Sequence, residues 1–107
     1  MFARLPGNPD RIAARDAYVD VVVGVEPEGA FAARWLGDDA PADDRRTFLD
    51  LLDAQRWRLA MFASDGWFWD DPVRPETRQN LRCAARAVRI VDVIGRASCR
   101  ERVLRLV

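Results

Sequence analysis

Three carboxylates gather around three consecutive aromatic rings in this chain. Met61 to Asp71 reads Met-Phe-Ala-Ser-Asp-Gly-Trp-Phe-Trp-Asp-Asp, so Asp65, Asp70 and Asp71 flank Trp67, Phe68 and Trp69. Ring neighbours exclude water and can raise a carboxyl pKa toward the range that suits general acid–base work. The same ring surface can point at a ligand, at another domain or at a second layer of packing. Three adjacent side chains point in different directions, and one small core cannot take them all. At least one of these rings is therefore expected to be exposed. Structural roles compete with the chemical ones. Asp65 before Gly66 is a good turn residue, and Asp70 or Asp71 before Pro72 can cap the next helix. The residues alone favour a structural or ligand-contact role over direct catalysis. Asp65, Trp67, Phe68, Trp69 and Asp70 stand as candidate substrate-contact residues, and no catalytic residue is assigned.

Other chemistry is narrowly bounded. The chain has no histidine, which excludes histidine general-base and histidine metal chemistry. Cys83 and Cys99 form no metal-ligand pattern, so neither a metal nor another cofactor is expected. Ile94 to Val103 reads Ile-Gly-Arg-Ala-Ser-Cys-Arg-Glu-Arg-Val, which resembles one reading frame of a common short-read sequencing adapter. Residues 94–107 are accordingly read as a foreign tail, outside any fold argument. Cys83 is then the one remaining cysteine, and it can form no internal disulfide. The tail holds four of the 17 arginines and one of the 17 carboxylates, so 13 and 16 remain, a net charge of −3. Such a surface is a poor nucleic-acid binder, because phosphate contacts need clustered excess positive charge. All basic residues are arginine, which is read as codon bias in a GC-rich genome. No long apolar run follows Met1, so no signal peptide or membrane span is read and a cytoplasmic setting is expected.

Four helices are needed to position these residues, and no strand is convincing. Residues 1–8 are read as a disordered or truncated lead-in, and residues 9–93 as one small helical domain with little stability to spare. Asn8 and Pro9 suit a helix start, with Ile12, Val19, Val22 and Val23 on one face and Gly24 at the stop. Glu26-Pro27-Glu28 opens a second helix carrying Phe31, Trp35 and Leu36, which Gly37 ends. The third runs from about Asp43 to Ala63. Its Phe48, Leu51, Leu52, Leu59, Phe62 and Ala63 fall within an arc of about 120° and read as the buried stripe. Trp57 and Met61 lie on the opposite side, where Trp57 is either a second contact surface or a ring shielded by arginines. Ser64-Asp65-Gly66 is read as a break, and the aromatic loop follows. Pro75 begins the fourth helix with Glu76 in its first turn. Leu81, Cys83, Ala84, Ala85, Ala87, Val88, Ile90 and Val91 cover well over half of it, so the helix is expected to be nearly surrounded. Arg78, Arg82, Arg86 and Arg89 form a stripe about 80° wide. That stripe reads as a solvated or carboxylate-paired face, with anion binding the sharper alternative.

The order of motifs carries a family resemblance. Arg15-Asp16-Ala17-Tyr18, Leu51-Leu52-Asp53-Ala54-Gln55-Arg56, Ser64-Asp65-Gly66-Trp67-Phe68-Trp69-Asp70-Asp71 and Ala84-Ala85-Arg86-Ala87 together resemble the domain of unknown function 3536, over roughly residues 10–93. In that family the helical region follows a catalytic domain similar to glycoside hydrolase family 57. Many members carry cysteine where this chain has Asp65 and phenylalanine where it has Trp69. The string from Ser64 to Trp69 is also similar, with one glycine of offset, to Ser-Asp-Trp aromatic segments near the sugar cleft of starch-active family 57 enzymes.

What the resemblance implies is a fragment of a larger enzyme, an α/β barrel followed by a helical domain, acting on α-glucan or a related polysaccharide. Family 57 chemistry is retaining, with two carboxylates about 5 Å apart, and in the family both lie on the barrel. The expected partners are that missing N-terminal catalytic barrel and a polysaccharide substrate, with no nucleic acid and no membrane. The expected fold class is all-α, a small bundle of about four helices. The expected role is an accessory domain that brings aromatic and acidic contacts to the glycan cleft. A purely structural helical module, or a protein-interaction domain with no ligand contact, is the alternative.

Overall fold

A computed structural model describes residues 5, 7, 9–67 and 73–106, with the backbone alone at 65 and 97–106. The described residues are all-α, without a strand. Four helices of seven or more residues carry the fold: α1 (Arg11–Ala17), α3 (Glu28–Leu36), α4 (Ala42–Ala60) and α6 (Pro75–Leu106). Two single turns, α2 (Val19–Val22) and α5 (Ser64–Trp67), complete it. The chain divides into two compact units, residues 1–52 and 53–107, and α4 runs through the boundary.

The first unit holds the aromatic core. Asp10, rather than Asn8, caps α1; its carboxylate accepts from the backbone N–H groups of Ile12 at 2.9 Å and Ala13 at 3.2 Å. The buried face also differs from the expected one. Ala14 and Tyr18 are buried, with Ala17 and Val21 partly so, while Ile12, Val19, Val22 and Val23 stay exposed. Tyr18 decides this choice, because its ring packs edge-on against Phe31 with centroids 5.7 Å apart. Ala14 adds no bulk on that face. Gly24, at φ +83°, ends this region as expected.

Phe31 on α3 then stacks on Phe48 of α4 at 5.8 Å and tilts against Trp35 at 6.0 Å. Phe31 and Phe48 are the largest fully buried side chains. Glu26 accepts two hydrogen bonds from Arg34, at 3.1 and 2.8 Å. That hydrogen-bonded carboxylate holds the Arg34 guanidinium above its ordinary pKa. Ahead of α1, Leu5 is buried in the same core.

The second unit is built on small and polar residues. Along α6, among the described side chains, the buried positions are Thr77, Asn80, Cys83, Ala87 and Ile94, spaced as one helical stripe. The expectation that α6 is nearly surrounded is corrected, since Leu81, Val88, Val91 and Val93 are exposed. The lower half of the α4 stripe is corrected too. Phe48 and Leu52 are buried, but Leu59 is exposed and Phe62 is 60% exposed beyond the end of the helix. The α4 helix stops at Ala60, so Phe62 and Ala63 leave the helical register that aligned them. Helix α6 continues past residue 93 to Leu106, and Ile94, the first residue of the expected tail, is 7% exposed. Side chains 97–107, including Val103, Leu104 and Leu106, lie outside the described residues.

Candidate functional site

The aromatic segment begins on a helical turn and not on an irregular loop. Ser64, Asp65, Gly66 and Trp67 form α5. Gly66 does not break helical structure here, because its lack of a side chain lets the turn sit directly on α6. A Cβ at Gly66 would lie 2.0 Å from Asn80 Nδ2, 2.4 Å from Asn80 Cγ and 2.8 Å from the Glu76 carbonyl oxygen. Real Cβ atoms do not approach other atoms so closely, so only glycine fits without displacement.

Two side chains of α6 fasten this turn from below. Thr77 Oγ1 donates to the Gly66 carbonyl at 2.7 Å, and Asn80 Nδ2 donates to the Ala63 carbonyl at 2.8 Å. Both side chains are buried, Asn80 to 3% exposure. Buried polar groups are costly unless satisfied, and here each serves a backbone carbonyl of the turn. Sequence reasoning missed both residues as positioning groups. The available signal was their spacing: Thr77 and Asn80 continue the stripe of Cys83 and Ala87, so two polar residues stand where a purely apolar face would be expected.

On this support stands Trp67, the candidate residue whose side chain is described. It is 54% exposed, as the crowding argument expects of at least one ring. Its indole N–H donates to the Met61 carbonyl at 2.6 Å. That hydrogen bond restrains the ring while leaving much of its surface open. The Asp65 backbone lies in α5, but its side chain is outside the described residues, as are Phe68, Trp69, Asp70 and Asp71. Among the described residues no group of carboxylates and cysteines is close enough to hold a metal ion.

A second constellation lies elsewhere in the same unit. Trp57 is half-buried beneath two guanidinium groups, Arg56 at 4.5 Å and Arg86 at 4.6 Å from the ring centroid. Of the two readings of Trp57, the ring shielded by arginines describes this geometry. Beside Trp57 and Arg86 lies an open groove of about 350 Å³ with Gln79, Arg82, Cys83, Ala85 and Arg89 on its walls.

Fold and site together define an all-α domain with a buttressed aromatic turn. The chain belongs to the family described as Domain of unknown function (DUF3536), whose model matches residues 7–107. The matched span is longer than the resemblance read from the motifs and includes residues 94–107. No curated protein and no solved structure matches the chain. No helix among the described residues is long and apolar enough to cross a membrane.

Proposed function

We propose that this chain is an accessory helical domain of a glycoside hydrolase family 57-like, carbohydrate-active enzyme. It contributes aromatic and acidic contacts near the glycan cleft, and the catalytic carboxylates lie outside it, on a barrel that precedes it in the same polypeptide. The setting is cytoplasmic and the substrate an α-glucan or related polysaccharide. One observation carries the ligand-contact part of this reading: Trp67 presents an open ring from a turn that Gly66, Thr77 and Asn80 hold in place. Sugar-binding rings need this combination of exposure and preorganisation, because stacking on a saccharide is small per ring and is lost if the ring must first be ordered.

The rival reading is a structural module that docks to the rest of the enzyme without touching glycan. Exposed Leu59, Phe62, Leu81, Val88 and Val91 in the second unit favour it, because they offer apolar surface for a larger body to cover. The deciding experiment is Trp67→Ala in the barrel-containing enzyme. The cleft-contact reading expects glycan turnover to fall while the melting temperature stays nearly unchanged. Loss of the fold assigns the ring to structure and favours the rival. No change in either property refutes both readings of the turn.

A further inference from the structure

The groove beside Trp57 is chemically unlike the aromatic turn. Arg82 and Arg89 are exposed, and no carboxylate among the described residues pairs with either of them or with Arg86. The nearby Arg56 does have such a partner, Asp53 at 3.6 Å. Arg82, Arg86 and Arg89 follow one another by four and three residues, so one helical face brings three guanidinium groups to one groove. Three like charges on one face repel one another, and an anion between them would relieve that repulsion. The chain as a whole has no excess of positive charge, so this concentration is local.

From this groove we infer a binding site for a small organic dianion, best matched by a phosphate monoester on a hydroxylated, sugar-sized body. Guanidinium forks match the oxygens of a phosphate bidentately, and several of them favour a dianion over a single carboxylate. Gln79 offers an amide that can both donate to and accept from hydroxyl groups. Trp57 and Ala85 supply apolar wall. A volume of about 350 Å³ lies at the small end of ligand sites, which suits a monosaccharide phosphate better than a polymer.

Arg78 provides an internal control. It belongs to the same stripe, yet it does not line the groove. A diffuse basic face would treat Arg78 and Arg89 alike, whereas a site would not. The test is an NMR titration of the whole chain, following the Trp57 indole N–H and the arginine Nε–H signals. The probes are glucose 6-phosphate, inorganic phosphate, glucose and a glutamate-rich peptide.

The site reading expects millimolar saturable binding of glucose 6-phosphate, weaker binding of inorganic phosphate and none of glucose. Arg82→Gln and Arg89→Gln should each weaken it by about tenfold or more, as loss of one charge-assisted hydrogen bond requires, while Arg78→Gln changes it less than about twofold. Both tested arginines are exposed, so their variants should retain the parent's far-UV spectrum and melting curve; Arg89→Lys, which keeps the charge but not the fork, should recover only part of the affinity. The inference is overturned by no response to either phosphate, by equal affinity for inorganic phosphate and the ester, or by equal losses from Arg78→Gln and Arg89→Gln. Binding of the acidic peptide alone would assign the groove to an acidic protein surface and overturn it equally.

Discussion

Replacing Gly66 with alanine sets two effects of opposite sign against each other. Gly66 lies inside a helical turn, where alanine is intrinsically favoured by about 1 kcal/mol. Propensity alone therefore expects Gly66→Ala to stabilise the protein. Tertiary contact argues the reverse. The new methyl would sit 2.0 Å from Asn80 Nδ2 and 2.8 Å from the Glu76 carbonyl oxygen. Asn80 is buried, and its amide is committed to the Ala63 carbonyl at 2.8 Å. Moving it forfeits that bond and leaves the buried Asn80 amide without its acceptor, at about 1–3 kcal/mol. The Glu76 oxygen is backbone and cannot rotate aside, so the turn must also lift from α6, at about 1–3 kcal/mol for overpacking. The net expectation is a loss of roughly 1–5 kcal/mol, after subtracting the propensity gain. At the middle of that range, about 3 kcal/mol, and a urea slope of about 2 kcal/mol/M, the unfolding midpoint should fall by about 1.5 M. Far-UV circular dichroism follows the helices, and tryptophan fluorescence reports the turn. A double variant with Asn80→Ala should lose less than the two single losses combined, because the methyl and the amide compete for one space. An unchanged or raised midpoint for Gly66→Ala would refute the close approach and, with it, the buttressed turn.

Four further outcomes test other parts of the structure. Thr77→Val should lower stability by about 1–3 kcal/mol in the same urea assay, since it keeps the shape but leaves the Gly66 carbonyl without its donor. Phe48→Ala should cost about 3–5 kcal/mol as a fully buried ring, whereas Phe62→Ala, 60% exposed, should stay within about 0.5 kcal/mol. Comparing the two by thermal melts checks where the α4 stripe truly stops being core. Ending the chain at Val93 separates two readings of the last residues: a foreign tail leaves the urea midpoint unchanged or raises it, while burial of Ile94 expects a loss of about 1.5–3 kcal/mol. In the barrel-containing enzyme, Trp67→Ala should reduce glycan turnover with little change in melting temperature, as set out above.

Helical punctuation was legible because it is local. Gly24 and Gly37 adopt positive φ at helix ends, and Pro75 opens α6 with Glu76 in its first turn. Each follows from one residue's own backbone or charge preference. The all-α class follows from apolar residues at helical spacing, whereas the stacking of Phe31 on Phe48 came only with the tertiary structure. The short string from Ser64 to Trp67 was misread because glycine usually marks a break. Its true role depends on a residue 14 positions later in the chain, Asn80, against which it packs.

Which apolar face each helix buries was a tertiary decision. Periodicity nominated Ile12, Val19 and Val22, yet the face with Ala14 and Tyr18 won because it could approach Phe31 closely and pack a ring against it. Likewise α6 buries its narrow stripe of Thr77, Asn80, Cys83 and Ala87, and leaves Leu81, Val88 and Val91 exposed. Small residues there allow close contact, and the two polar ones gain partners from the backbone carbonyls of Gly66 and Ala63. Sequence by itself determined the all-α class, the glycine stops at Gly24 and Gly37, the start at Pro75 and the presence of an aromatic segment that no small core could absorb. Only the tertiary structure decided which faces are covered, how Trp67 is held, and that three arginines share a groove with Trp57. Backbone preferences act within a few residues, whereas burial and hydrogen-bond satisfaction depend on partners far apart in the chain.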